Sequence, residues 1–256
     1  MSGHRPRKRF GQHFLIDSSV IDAIVHAVGP SASDTIVEIG PGQGAITTPL
    51  LVNAGAMHVV ELDRDLAKAL RRQYAQESKL SIHEADALQF DFATLGNALR
   101  IVGNLPYNIS TPLLFHLLQY REHIVDLHFM LQKEVVDRMA AGPGSRTYGR
   151  LSIMLGCYFS IAALFDVDRS AFDPPPDVTS AVVRLAPLPQ GTYDIRDADH
   201  LSKLVATAFS QRRKTIRNAL RQVADEAMLE AAGIDPGLRP EAIAIAEYVR
   251  LSNTLE

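Results

Sequence analysis

The stretch Ile101-Val-Gly-Asn-Leu-Pro-Tyr-Asn-Ile-Ser110 sets an amide, a restrained turn and an aromatic ring in consecutive positions. Ile101 and Val102 close a β-branched run that suits a buried parallel strand, and Pro106 cannot extend it. Asn104 to Tyr107 are therefore expected on the turn at the strand's carboxyl end, the edge at which open α/β sheets bind ligands. A planar base could stack on Tyr107 while Asn104 and a neighbouring backbone carbonyl accept hydrogen bonds from its amino group, as an enzyme that modifies a base requires. Asn and Pro are also ordinary turn formers, so the stretch alone fits a capped strand-to-helix turn equally well.

A second constellation, Glu38-Ile-Gly-Pro-Gly-Gln-Gly44, lies between a predicted strand and a predicted helix, where Gly40, Gly42 and Gly44 let the backbone approach a ligand. Its spacing is G-x-G-x-G, not the G-x-G-x-x-G of dinucleotide sites, and it lacks the Gly-Lys-Ser/Thr of a phosphate-cradling loop. A nucleoside cofactor without a pyrophosphate fits better, and S-adenosylmethionine is the obvious one. Glu61 ends the next strand 21 residues after Gly40, the usual place for an acid that holds both ribose hydroxyls. Asp86, just past a third strand, could accept from an adenine amino group. The nine histidines show no metal-ligand spacing, so no metal is expected. Cys157 lies in an apolar run, where an inert thiol is expected, and this argues against methylation at a pyrimidine carbon.

These groups need a scaffold, and the pattern from residue 35 supplies one. Strands are predicted at Thr35–Ile39, His58–Leu62, Leu80–His83, Arg100–Gly103 and Asp126–Leu131. Helices are predicted from about Ala45, over Asp65–Tyr74 with an apolar stripe of Leu66, Ala69, Leu70 and Tyr74, and over Thr111–Tyr120 and Lys133–Met139. Such alternation implies an α/β fold with a mostly parallel sheet. After a helical Tyr148–Cys157, the runs Tyr158–Val167 and Val178–Leu185 alternate like an antiparallel pair. The intervening Phe172-Asp-Pro-Pro-Pro-Asp177 reads as a stiff extended loop. Ala186-Pro-Leu-Pro-Gln-Gly191 reads as a linker to a small α-helical domain with helices at His200–Val223, Glu226–Ala232 and Glu241–Asn253. The expected partition is a basic arm over 1–16, a ligand-binding α/β domain over 17–191 and a helical domain over 192–256.

A formal charge of −3 hides an asymmetry. Arg5, Arg7, Lys8 and Arg9 lie in an N-terminal segment without acids, and Lys203, Arg212, Arg213, Lys214, Arg217 and Arg221 lie in a second such segment at 201–222. Setting those ten aside, 16 basic residues face 29 acidic ones, a balance of −13. Two basic segments on an acidic body point to a localised polyanion site. One cysteine and an N-terminus without an apolar leader lead us to expect a cytoplasmic protein. The apolar run Leu151–Phe165, 15 residues, falls short of the roughly 20 needed to span a bilayer.

In order along the chain, Lys8-Arg-Phe-Gly-Gln-His-Phe-Leu15, Glu38-Ile-Gly-Pro-Gly-Gln-Gly-Ala-Ile-Thr47, Glu61-Leu-Asp, Glu84-Ala-Asp-Ala-Leu88, Gly103-Asn-Leu-Pro-Tyr-Asn-Ile-Ser-Thr111, Leu131-Gln-Lys-Glu-Val135 and Pro174-Pro-Pro-Asp-Val-Thr-Ser-Ala-Val-Val-Arg184 resemble the successive motifs of the ribosomal RNA adenine dimethyltransferases. The resemblance implies a Rossmann-like class I methyltransferase domain with an antiparallel edge, followed by the small helical domain. It implies a cofactor site of Gln12, His13, Leu15, Gly40, Gly42, Gly44, Glu61, Leu62, Asp86, Ala87 and Asn104. Asn104, Leu105, Pro106 and Tyr107 would hold the target adenine, with Phe172 stacking on its other face. The helical C-terminal domain and Phe209-Ser-Gln-Arg-Arg-Lys-Thr-Ile-Arg-Asn218 look most like the bacterial small-subunit branch, which dimethylates two adjacent adenosines near the 3′ end of 16S rRNA. The small ribosomal subunit would be the partner, and a monomer is expected. Two other readings are an antibiotic-resistance methylase of large-subunit rRNA and a ribosome-assembly factor acting mainly by binding.

Overall fold

The computed structural model describes residues 13–255; the basic residues Arg5, Arg7, Lys8 and Arg9, and Gln12, lie outside that range. The strands are β1 (Phe14–Leu15), β2 (Thr35–Ile39), β3 (Ala56–Glu61), β4 (Leu80–Glu84), β5 (Leu99–Asn104), β6 (Ile124–Gln132), β7 (Phe159–Val167), β8 (Phe172–Asp173) and β9 (Ser180–Pro187). The helices are α1 (Ser18–Val28), α2 (Thr47–Asn53), α3 (Arg64–Gln73), α4 (Ser110–Leu118), α5 (Lys133–Met139), α6 (Arg150–Gly156), α7 (Ala198–Ser210), α8 (Ile216–Ala219), α9 (Glu226–Ala231) and α10 (Ile245–Thr254).

Seven strands form one sheet in the order β4-β3-β2-β5-β6-β9-β7, parallel from β4 to β6, with β9 antiparallel to β6. From β2 the chain first builds outward through β3 and β4, then returns to β5 on the other side. The carboxyl ends of β2 and β5 therefore flank the topological switch point, where a crevice opens. Burial follows position in the sheet. In β2 only Thr35 is not buried, whereas the outermost β4 is partly exposed along its length. β9, expected to alternate, is buried at Ser180–Val183, with Val182 in the core cluster that includes Ile24, Val28 and Phe172.

Local chemistry sets the helix boundaries. Asp17 caps α1 by accepting from the Ser19 and Val20 amides, and Asp63 caps α3 by accepting from Asp65. The apolar face of α3 is Leu66, Ala67 and Leu70; Ala69, expected inside, is exposed. At the edge away from the switch point, Arg100 donates to Asp126 at 2.9–3.0 Å, to Asp34 at 2.9 Å and to the Val28 carbonyl at 2.7 Å. This ties β5, β6 and the end of α1 together, and Asp126 is only 1% exposed. Removing one partner of such a buried pair costs about 3–5 kcal/mol.

The chain divides into two compact units, one comprising residues up to Val136 with Ala162–Pro187, the other Asp137–Ile161 with the segment from Leu188 onward. The expected cut at 191/192 has a counterpart at Pro187/Leu188, but the second unit also takes in a segment from the middle of the chain. Its core is formed by Leu201, Leu204, Val205 and Ala208 of α7, Tyr248, Val249 and Leu251 of α10, and residues of α6. The expected helix His200–Val223 is interrupted at Gln211–Thr215. The amides of Ile216 and Arg217 donate to the Leu238 and Pro236 carbonyls instead of extending the helical ladder. The expected loop 172–177 also differs, since Phe172–Asp173 is a short strand antiparallel to β1.

Candidate active site

The first unit contains a cavity of about 450 Å³ at the switch point. Its wall includes the glycine loop, Glu61, Leu62, Asp86, Ala87, His13, Leu15, Phe172 and the turn from Asn104 to Ile109. All the expected cofactor residues except Gln12, and all five expected catalytic residues, thus meet at one cavity.

The glycine loop follows β2. Gly40, Gly42 and Gly44 have φ of 67°, 58° and 84°, so each backbone turn lies where a side chain is disfavoured. Gly103 has a different reason: a Cβ there would sit 2.6 Å from the Ile39 carbonyl oxygen, so the close approach of β2 and β5 beneath the cavity requires a bare backbone.

Glu61 ends β3 and is buried. Its Oε1 accepts from the Asp63 amide at 2.8 Å and its Oε2 from the Gly42 amide at 3.2 Å, which fixes the carboxylate. Each oxygen keeps lone-pair capacity for a hydroxyl donor. Burial raises the Glu61 pKa, against the lowering effect of the two amides. Asp86 accepts from the Leu88 amide at 2.9 Å and from Gln89 at 3.3 Å, so its carboxylate also braces its own turn.

Glu38, quoted in the glycine motif but given no role from sequence, is buried in the same wall. It accepts from the Thr47 hydroxyl, and desolvation raises its pKa to about 7. Glu38, Glu61, Asp63 and Asp86 line the cavity together, and among the described residues its wall contains no Lys or Arg. This lining disfavours a phosphate-bearing dinucleotide and suits a nucleoside that carries positive charge, which is the chemistry of S-adenosylmethionine.

On the β5 side, the Asn104 amide nitrogen donates to the main-chain carbonyl of His13 at 3.1 Å. A carbonyl can only accept, so this bond fixes which end of the amide faces it and leaves the Asn104 oxygen as an acceptor. The His13 ring bonds through Nδ1 to the Pro174 carbonyl at 2.8 Å and lies 25° from the Tyr107 ring plane, with centroids 6.2 Å apart. Tyr107 is half-buried and its hydroxyl lies 2.9 Å from Ser180 Oγ. Phe172 is buried, 3% exposed, opposite Leu15 in the β1–β8 ladder. Sequence reasoning did not assign Ser180, Glu38 or Asp63; Ser180 lies 73 residues from Tyr107 and meets it only once the sheet forms, whereas Glu38 bonds Thr47 only nine residues on.

The expected RNA-binding residues of the second unit are exposed, but not equivalent. Arg212 donates to the Arg146 and Tyr148 carbonyls at 2.6 and 2.9 Å and lies 6.0 Å from the Phe209 ring centre. Arg217 faces Glu226 at 3.3 Å. Arg213, Lys214 and Arg221 are exposed.

Fold and cavity together define a class I methyltransferase, with the glycine loop and Glu61 on one side of the switch point and the turn from Asn104 to Tyr107 on the other. The chain belongs to the ribosomal RNA adenine dimethylase family, whose model matches residues 3–256. It is 56% identical to the ribosomal RNA small subunit methyltransferase A of Aromatoleum aromaticum, over 99% of this chain and 95% of that one. Identity to the protein of the same name from Vibrio cholerae is 51%, over 99% and 95%. A dimethyladenosine transferase from Plasmodium falciparum superposes with a TM-score of 0.82 at 26% identity, covering 93% of this chain and 96% of that one. The 23S rRNA methyltransferase ErmE superposes with a TM-score of 0.75 at 25% identity, covering 94% and 99%. The family's methyl donor is S-adenosylmethionine. Among the described residues, no helix is long and apolar enough to cross a membrane, and no group of three or more His, Cys, Asp or Glu could hold a metal ion.

Proposed function

We propose that this chain dimethylates the exocyclic amino group of two adjacent adenosines near the 3′ end of 16S rRNA in the small ribosomal subunit, and that it works in the cytoplasm. The observation that carries the reading is the Asn104 amide, held by the His13 carbonyl with its oxygen left to accept. The full-length identity to small subunit methyltransferases supports the choice of ribosomal particle.

Bound S-adenosylmethionine supplies an electrophilic methyl group on a sulfonium. Glu61 is assigned the ribose hydroxyls, Asp86 the cofactor's adenine amino group, and the glycine loop the close backbone approach. The adenine amine is a poor nucleophile because its lone pair is delocalised into the ring. The Asn104 oxygen and the Leu105 carbonyl accept its two hydrogens, draw the nitrogen toward a tetrahedral shape and orient the lone pair. Tyr107 stacks on the base once it has left any helical stack, and Phe172 closes the other side.

The test is methyl transfer from labelled cofactor to purified small and large ribosomal particles, with Asn104→Ala protein as the binding control. Dimethyladenosine confined to small particles is the expected result. Modification of large particles alone, or binding without transfer by the unaltered protein, would overturn the reading.

A further inference from the structure

We propose that Ser180 is a positioning residue for the target base, holding the Tyr107 ring in the orientation that methyl transfer needs; the proposal rests on the function proposed above. Ser180 opens β9 opposite Gln132 of β6 and is 1% exposed, so its backbone is fixed inside the sheet. Its hydroxyl lies 2.9 Å from the Tyr107 hydroxyl. The residues that follow it, Ala181, Val182 and Val183, are apolar and buried, so a hydroxyl here is not part of the strand's own pattern. A buried hydroxyl needs a partner, and among the described residues the Ser180 hydroxyl has the phenol.

Tyr107 stands on a turn whose other bonds hold only backbone. The Ile109 amide donates to the Pro106 carbonyl at 3.2 Å and the Ser110 hydroxyl to the Tyr107 carbonyl at 3.0 Å. Neither restrains the ring, and the His13 ring, 25° from its plane with centroids 6.2 Å apart, bounds one face without holding the hydroxyl end. The bond to Ser180 acts at the far end of the side chain, where a single restraint limits the ring's tilt most strongly. A base stacks on a ring already set, so binding does not have to order it.

The consequence differs between the two transfers. The unmodified amine offers hydrogens to both acceptors, but the monomethylated amine has only one left, so the second transfer depends more on stacking. Loss of the tether should therefore slow the second methylation more than the first, and monomethyladenosine should accumulate.

The experiment compares unaltered protein with Ser180→Ala, Tyr107→Phe, the double variant and Ser180→Thr, scoring mono- and dimethyladenosine in small ribosomal particles by mass spectrometry. Cofactor affinity is measured in parallel by calorimetry. Each single variant is expected to slow the second transfer about tenfold, within the range of a base–aromatic stack. The double variant should be no slower than either single one, Ser180→Thr should recover most of the loss, and cofactor affinity should not change. Additive losses, an unaffected Ser180→Ala protein, or a loss that tracks cofactor affinity would each overturn the proposal while the unaltered protein remains active. Inactivity of the unaltered protein on small particles would instead overturn the proposed function, and the positioning role with it.

Discussion

The side-chain amide of Asn104 and the main-chain carbonyl of His13 meet at 3.1 Å, so a residue at the end of β5 is oriented by the segment leading into β1. Two substitutions separate accepting from being held. Asn104→Ala removes the acceptor, whereas Asn104→Asp keeps oxygen acceptors but sets a carboxylate against a carbonyl and repels it. Both should lose methyl transfer by roughly 100-fold or more, the scale for removing a preorganised polar group at a reacting centre. Thermal melts should stay close to the unaltered protein, since Asn104 lies at the cavity wall. Full activity of the Asp variant would show that the His13 bond has no catalytic weight.

Glu61 makes a different prediction because it lies on the cavity wall assigned to the cofactor. Glu61→Ala should weaken S-adenosylmethionine binding by about 1.5–3 kcal/mol, the value of hydrogen bonds to a charged acceptor. Binding to ribosomal particles should be much less affected. Unchanged cofactor affinity by calorimetry would remove Glu61 from the ribose site. The substitution also frees the Gly42 and Asp63 amides, so Glu61→Gln, which keeps one acceptor, should lose less.

Two buried groups give the stability an acid–base dependence with opposing signs. His128 is buried, and desolvation together with Arg100 and Arg184 lowers its pKa to about 4, despite the attraction of Asp126. Between pH 6.5 and 4 the unfolded chain binds this proton and the folded chain does not, so stability falls as pH falls, by about 3 kcal/mol at most. Glu38 is raised from 4.5 to about 7, so over that window the folded chain holds a proton the unfolded chain has released, and stability falls as pH rises. The two trends offset each other in the unaltered protein, and substitutions should separate them. His128→Gln should lose less stability than the unaltered protein between pH 7 and 4.5 in urea melts. Glu38→Gln should gain relative to it at pH 8. Parallel curves for all three proteins would count against both assignments.

The parts of this fold legible in the sequence are those set by short-range pattern. The β-branched run at Thr35–Ile39 and the turn forced by Pro106 needed nothing from elsewhere in the chain. The same holds for the glycine spacing before α2. What remained hidden depends on long-range neighbours. Val178–Leu185 reads as an alternating strand, but Ser180–Val183 are all buried, with Val182 packed in one core cluster with Ile24 and Val28 of α1, which no local window shows. After the break at Gln211–Thr215, the amides of Ile216 and Arg217 find their acceptors at Leu238 and Pro236, about twenty residues onward. Phe172 carries the same lesson, since its strand exists only because Leu15 pairs with it.

The basic segment at 201–222 is expected from sequence to serve one polyanion site, and the structure divides its run at 212–214 into two jobs. Arg212 closes two carbonyls, of Arg146 and Tyr148, within the second unit, whereas Arg213 and Lys214 are exposed. Arg212→Ala should therefore act through folding. Leaving two carbonyls without their charged donor should cost about 1–3 kcal/mol, visible as a lower melting temperature with little change in how RNA affinity depends on salt. Replacing Arg213 and Lys214 with Gln should do the reverse. Stability should hold, while the log–log slope of particle affinity against salt falls by about 0.7–0.9 for each phosphate deprived of its cationic partner. Measuring both quantities on both variants decides the division. If Arg212→Ala flattens the salt slope as much as the paired substitution, its side chain leaves those carbonyls to meet RNA, and the patch is single after all.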